Sequence, residues 1–350
     1  LGVGSLLPFV ARSDIERRIV INTVGPIWEG NQVWLILGGG AIFAAWPHIY
    51  AMSFSGFYLA MFAILFALIL RPVGFKYRSK RDSKVWRSCW DWALFIGGFV
   101  PALIFGVAMG NVLQGVPFHY TEDMRMVYLG SFFGLLNPFA LLSGLLSVAM
   151  LAMHGGAWIA LKTEAALAQR ARNFASVAGL ATIALYAAAG VWLWLAIDGY
   201  QMTSAHMANG PSNPLAKTVV AGVAGGWLSN YQNHPWTLLA PTLGFGGAIL
   251  ALVGLRARWE GCTVIFSGLA VAGIVLSVGA SMFPFIVPSS ADLRSSLMVW
   301  DASSSHMTLF IMLVCSIVFV PLILAYTAWV YRVMWGKVRP RDITHGDHAY

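Results

Sequence analysis

One carboxylate in this sequence stands inside an otherwise apolar run. Gly25-Pro26-Ile27-Trp28-Glu29-Gly30-Asn31-Gln32-Val33-Trp34 interrupts the stretch from Ile19 to Trp46. In a helix continuing from Arg18, Glu29 lies about 16 Å along at roughly 1.5 Å per residue, near the middle of a bilayer. An acid there costs roughly 2.5–3.5 kcal/mol on insertion scales, so it is seldom incidental. Such a carboxyl can accept and release protons where hydrocarbon conducts none. Pro26 lacks an N–H and frees a backbone carbonyl, and Gly30 lets other groups approach. Asn31 and Gln32 add polar partners. The chemistry this predicts is proton transfer through Glu29, Asn31 and Gln32. The competing reading is an acid that caps a broken helix or bonds a partner subunit.

The other acids point elsewhere. Asp91, Glu260 and Asp301 stand near expected helix starts, where the positive end of the dipole favours them, and Asp198 stands at a helix end. Capping or interface roles are expected for these four. The serines at 303–305 after Asp301 could line a polar cavity. A haem or copper site inside a bundle needs His or Met on facing helices. Of His48, His119, His154, His206, His234, His306, His345 and His348, only His154 falls well within an apolar run. The sequence therefore predicts no metal ligand and no haem-based active site in this chain. Cys89, Cys262 and Cys315 have no CxxC spacing and read as small apolar residues. No phosphate loop, dinucleotide fingerprint or nucleophile motif occurs in a usable context.

The elements that position these residues are membrane helices. Hydrophobic residues make up 58% of the 350 and charged residues 10%, with mean hydropathy +0.71. A soluble chain averages about 25% charged residues and needs them to cover its surface. The 15 Trp and 36 Gly suit interfacial anchoring and close helix packing. A span needs roughly 20 apolar residues. Eight runs qualify, near 19–46, 49–70, 90–113, 129–161, 174–197, 235–255, 259–287 and 308–333. Leu1–Val10 reads as the remnant of a first span. The expected fold is thus an all-α polytopic membrane helix bundle, eight full transmembrane helices plus that remnant. A faint internal repeat divides it as 4+4+1: 1–10 the remnant, 11–128 the rest of a first four-helix repeat, 129–304 a second, and 305–350 a ninth helix with its tail. The fourth helix of each set ends in a Pro-containing turn, Gly115-Val116-Pro117-Phe118 and Phe283-Pro284-Phe285.

Charge gives the orientation. The net charge is +8, but the basic residues sit in short clusters between apolar runs, which excludes a nucleic-acid face. Only Arg125, Lys217 and Arg294 fall in the intervening loops; the other 19 of the 22 fall on the alternate side. By the positive-inside rule the clustered side and the C-terminus are cytoplasmic. Helices in lipid associate through small residues. Gly38-Gly39-Gly40-Ala41 and Gly244-Phe245-Gly246-Gly247 are the expected subunit-packing patches, with Gly38, Gly39, Gly40 and Gly246 as the contact residues.

Several longer motifs carry a family resemblance. Glu16-Arg17-Arg18-Ile19-Val20-Ile21-Asn22, followed by Trp28 through Ile36, resembles the second helix of cytochrome bd quinol oxidase subunit II, including its cyanide-insensitive branch. The likeness continues in Ala44-Ala45-Trp46-Pro47, Arg71-Pro72-Val73-Gly74-Phe75-Lys76-Tyr77-Arg78-Ser79-Lys80 and Trp90-Asp91-Trp92. It recurs in Gly110 through Phe118, Asn137-Pro138-Phe139, Ile197-Asp198-Gly199-Tyr200, Met282-Phe283-Pro284-Phe285 and Trp300-Asp301-Ala302-Ser303-Ser304. The resemblance implies a multi-pass subunit of the bacterial inner membrane, partnered by subunit I and by small single-span accessory subunits. Haem b and haem d then belong to subunit I, and this chain binds none directly. A quinone as structural ligand, and lipids, are further implied partners. The enzyme of the family couples quinol oxidation to reduction of dioxygen to water and builds a proton motive force. The resemblance puts Glu29 in a proton route to the haems and Trp34 on the wall of the dioxygen route. Asp is usual where this chain has Glu29, one methylene shorter, and the family carries further acids just before the position of Leu1. Without the resemblance, a secondary transporter or a purely structural membrane scaffold would fit the same residues.

Overall fold

A computed structural model describes residues 1–204 and 212–344. His206, His345 and His348 lie outside the described residues. Thirteen α-helices order these residues, beginning with α1 (Gly2–Val10), α2 (Asp14–Asn22), α3 (Trp28–Ala45), α4 (Pro47–Gly56) and α5 (Tyr58–Tyr77). Next come α6 (Lys84–Gln114), α7 (Pro138–Lys162), α8 (Ala165–Ala196), the short α9 (Ser229–Asn233) and α10 (Leu239–Ala257). Last are α11 (Glu260–Met282), α12 (His306–Val333) and α13 (Pro340–Thr344). Seven helical stretches among the described residues are long and apolar enough to cross a membrane: Tyr58–Lys80, Lys84–Gln114, Pro138–Lys162, Ala165–Ala196, Pro235–Ala257, Glu260–Met282 and His306–Val333.

The run expected as one helix over 19–46 is broken. Pro26 has no N–H to give Asn22, and proline disfavours helical backbone at Gly25 before it. The chain turns through 23–27 and starts again as α3. Trp158 Nε1 donates to the carbonyl of Thr23, 3.0 Å away, satisfying an acceptor in the break. The run over 129–161 also starts late. Asn137 accepts from the N–H of Ala140 and Pro138 takes the first helical position, so α7 begins there.

Small residues let the helices meet. A Cβ built on Gly2 would lie 1.8 Å from the carbonyl oxygen of Leu151, so α1 presses its backbone onto α7. One on Gly273 would lie 2.2 Å from the amide nitrogen of Gly244, which brings α10 and α11 together. α3 and α12 stand apart from this packing, and α12 buries no residue within the chain.

The loops opposite the basic clusters form a packed cap that hydropathy gave no reason to expect. Strands β1 (Phe118–Tyr120) and β2 (Met126–Tyr128), β3 (Gly199–Met202) and β4 (Val219–Val223), and β5 (Phe285–Val287) and β6 (Leu297–Met298) pair antiparallel. Val116 bridges Ser289 in parallel, joining the regions of the two Pro-containing turns. Phe118, Trp227, Phe285, Leu297 and Met298 are buried in one cluster beneath. Asp301 starts no helix. It pairs with Lys217 and accepts from the N–H of Met298, tying two cap loops together.

At the basic end Asp91 is no cap either. It lies in the second turn of α6 and accepts from Arg78 Nε at 2.6 Å and Arg17 Nη1 at 2.8 Å. The Asp91 and Arg78 side chains are 3% and 1% exposed. Arg78 also reaches Asp14, which pairs with Arg87, so α2, α5 and α6 meet in one charged knot. Glu260, in the first turn of α11, pairs with Arg172 and Lys337.

Candidate functional site at the start of α3

The break at 23–27 decides where Glu29 stands. With no continuous helix from Arg18, the expected rise to mid-bilayer is lost. Glu29 is in the first turn of α3, and its Oε1 lies 3.7 Å from Nζ of Lys76 in the last turn of α5. Both charges occupy the helix end that favours their sign. The Glu29 side chain is 67% exposed in the isolated chain, on the same side of the bundle as the basic clusters.

The three polar residues of this turn do not converge. Asn31 faces α12, and its Oδ1 accepts from the hydroxyl of Tyr331 at 3.0 Å. It borders a cavity of about 390 Å³ with Trp28, Arg71, His154 and Tyr331 on the wall. The indole N–H of Trp28 is buried there without a protein partner. Gln32 turns instead into a groove of about 630 Å³ between α3 and α5, bordered by Gly39, Gly40, Phe43, Tyr58 and Phe62. Its Oε1 is buried with no donor. Trp34, two residues further along α3, is half-buried.

Gly38, Gly39 and Gly40 face open space, as does Gly246, so a neighbouring helix could approach all four. Gly244 and Gly247 are already used inside the chain, against Tyr186 and Ile274 and against Ala270. His154 has Ser267 as a polar partner, Nδ1 to Oγ at 2.9 Å. Among the described residues no three His, Cys, Asp or Glu side chains gather as a metal site. A second, apolar chamber of about 520 Å³ lies between α6, α7, α8, α10 and α11, with Met109, Phe139, Leu193 and Phe245 on its wall. Tyr186 donates to Ser277 Oγ, and Tyr231 to the Ser277 carbonyl, on its polar side.

Two residues here escaped the sequence. Lys76 looked like one more member of a basic loop. Tyr331 looked like an ordinary aromatic at a span end, and nothing near it in the chain hints at a partner 300 positions away.

Residues 1–334 match the family described as cytochrome bd terminal oxidase subunit II. This chain belongs to that family. Subunit 2 of the cytochrome bd-I ubiquinol oxidase of Escherichia coli is 48% identical over 349 residues, covering 100% of this chain and 92% of the relative. A probable cytochrome oxidase subunit 2 from Haemophilus influenzae matches equally, at 48% over the same shares. Subunit 2 of the Bacillus subtilis cytochrome bd ubiquinol oxidase is 30% identical, over 97% of this chain and 91% of its own length. A chain of the bd oxidase structure from Geobacillus thermodenitrificans superposes with a TM-score of 0.65 at 12% identity, covering 95% of this chain and 92% of that one, which shows a shared fold. This subunit II is therefore a multi-pass helical component of a terminal quinol:oxygen oxidoreductase.

Proposed function

We propose that this subunit II supports the haem-bearing subunit I of a bacterial inner-membrane quinol oxidase and carries a proton route to its haems. The acid in the first turn of a helix broken by Pro26 supports the route, and the likeness to bd oxidase subunits along the whole chain supports the partnership. The oxidase couples quinol oxidation to reduction of dioxygen to water. Its protons for water come from the cytoplasm, the side of the clustered basic residues and the C-terminus, and the outcome is a proton motive force. Haem b and haem d sit in subunit I. Glu29 takes up and passes protons, Asn31 and Gln32 continue the polar route on two other faces of α3, and Trp34 walls a dioxygen route.

Eight full spans follow if α3 is counted with the seven apolar stretches, with the short helix α1 beside them, in the 4+4+1 arrangement of 1–10, 11–128, 129–304 and 305–350. The open faces at Gly38, Gly39, Gly40 and Gly246 pack against subunit I or a single-span accessory subunit. A structural quinone would suit the apolar chamber through its tail. Tyr186, Tyr231, Ser277 and Ser281 spend their hydroxyl protons on protein oxygens, so these four offer no donor to a quinone carbonyl. That favours a quinone held for packing and not for turnover.

The test is oxygen consumption by the purified complex with its haem spectrum. Glu29→Gln keeps size and hydrogen bonding but removes titration. Turnover should fall about a hundredfold, the lower end of what a positioned acid or base contributes. Haem content should not change. Glu29→Asp should keep most activity. Full turnover in Glu29→Gln at normal haem content sinks the relay and leaves a packing role.

A further inference from the structure

The side chain of Asn31 is held from the far end of the sequence. α12 buries nothing of its span within the chain, yet it is fastened near both ends. At its start the N–H of Ser304 donates to the carbonyl of Ala45 at 2.8 Å. In its last turn the Tyr331 hydroxyl donates to Asn31 Oδ1 at 3.0 Å. The Tyr331 ring is itself set: it meets Trp158 edge-on, centroids 5.9 Å apart at 82°, and Trp158 is tied to the break before α3 by its bond to Thr23. Two elements thus fix the hydroxyl, and the hydroxyl fixes the amide.

A side-chain amide free to rotate presents its oxygen and its NH2 in turn to whatever lies beside it. A hydroxyl donating to the oxygen commits that end, so the NH2 is left to point away from α12. Asn31, Tyr331 and the unpartnered indole N–H of Trp28 all border the same cavity of about 390 Å³. A cavity of that size with polar groups on its wall has room for several waters. An ordered amide beside such water directs hydrogen bonds along one line; a rotating one does not.

We propose that Tyr331 is a positioning residue of the proton route, its hydroxyl holding the Asn31 amide in one orientation toward the cavity beside α3. The inference rests on the reading that the start of α3 passes protons, and it adds α12 to that function. Tyr331 transfers no proton itself; it acts through Asn31.

The experiment uses the purified complex with Tyr331→Phe, Asn31→Ala, the double variant and Glu29→Gln. Tyr331→Phe keeps the ring against Trp158 and removes only the hydroxyl. Its kcat for oxygen consumption should fall about fivefold, the factor one neutral hydrogen bond is worth. The KM for quinol and the haem spectrum should stay as in the parent, and the solvent isotope effect on kcat should rise. In the Asn31→Ala background, Tyr331→Phe should change nothing more. Parental kcat in Tyr331→Phe alongside slow Glu29→Gln overturns this inference alone. So does a Tyr331→Phe loss that persists in full without Asn31, or one that comes with lost haem or assembly. Parental turnover in Glu29→Gln instead removes the reading beneath it.

Discussion

Asp91→Asn is the sharpest test of how the basic end is held together. The substitution keeps the shape of the side chain and deletes its charge. Arg78 then loses the carboxylate that accepts from its Nε at 2.6 Å and its Nη2 at 3.2 Å, and Arg17 loses a partner at 2.8 Å. Arg78 has no solvent to turn to, since its side chain is 1% exposed and its Nη1 is already buried without an acceptor. Removing one member of a buried pair costs about 3–5 kcal/mol, because the other is left charged and uncompensated. Asp14 still reaches Arg78 at 2.9 Å, so the low end, about 3 kcal/mol, is expected. With an unfolding entropy of about 2.1 cal/mol/K per residue over the whole chain, that lowers the melting temperature by about 4 °C. The assay is thermal melting of the purified complex, followed by loss of its native absorption and by light scattering. A variant that melts within 1 °C of the parent, by both readouts, would refute the argument that this knot fixes α2, α5 and α6.

Glu16 gives a pH dependence. Burial pushes its carboxyl up, but hydrogen bonds from the N–H of Arg12, from Arg170 and from the N–H of Ser13 outweigh this and hold it below the ordinary carboxylate range. A carboxyl lowered on folding stabilises above its unfolded pKa, and the benefit is lost as pH falls through the folded value. Melting temperature should therefore drop between about pH 5 and 3 more steeply in the parent than in Glu16→Gln; equal slopes would refute it. Lys162→Met removes an ammonium that donates to the carbonyls of Met334 and Gly336 and stands over the rings of Trp158 and Trp335. Trypsin should then cut after Lys337 several times faster in membranes, whereas an unchanged rate would show the tail is held by other contacts. Leu at both Gly39 and Gly246 should halve recovery of the two-subunit complex or worse, measured by affinity purification through this chain; undiminished recovery moves the contact elsewhere.

The spans were legible because apolar length is a local property, and the hydropathy of α6, α8 or α12 depends on no partner. The break at Pro26 is equally local, since a residue without an N–H interrupts the helix wherever it stands. Counting from Arg18 takes the helix through a residue that cannot donate, so that count does not fix the depth of Glu29, which lies beside Lys76. Asp91 misled for a related reason. Its place near the start of an apolar run suggested a cap, but α6 begins earlier, at Lys84, and turns the acid inward onto Arg78. The cap of short strands left no signal, since strands of two to five residues are too short to show a clear periodicity. Pairs such as Asn31 with Tyr331, or Lys217 with Asp301, join residues far apart in the chain, and only the folded bundle brings them together.

The segment after α12 bears on how the protein is made. The N–H of Val338 donates to the carbonyl of Lys162, Lys337 and Arg339 pair with Glu260 and Glu164, and Ile343 is buried beside α1 and α2. The ribosome delivers this stretch after every one of those partners. Its docking sites come from the α7–α8 turn, the start of α11 and the N-terminal helices, so they exist as a set only once all of these have been inserted in the right order. Closing the tail across them is a late step of biosynthesis, and a nascent chain with a mis-threaded helix would leave a basic tail hanging in water, open to a protease.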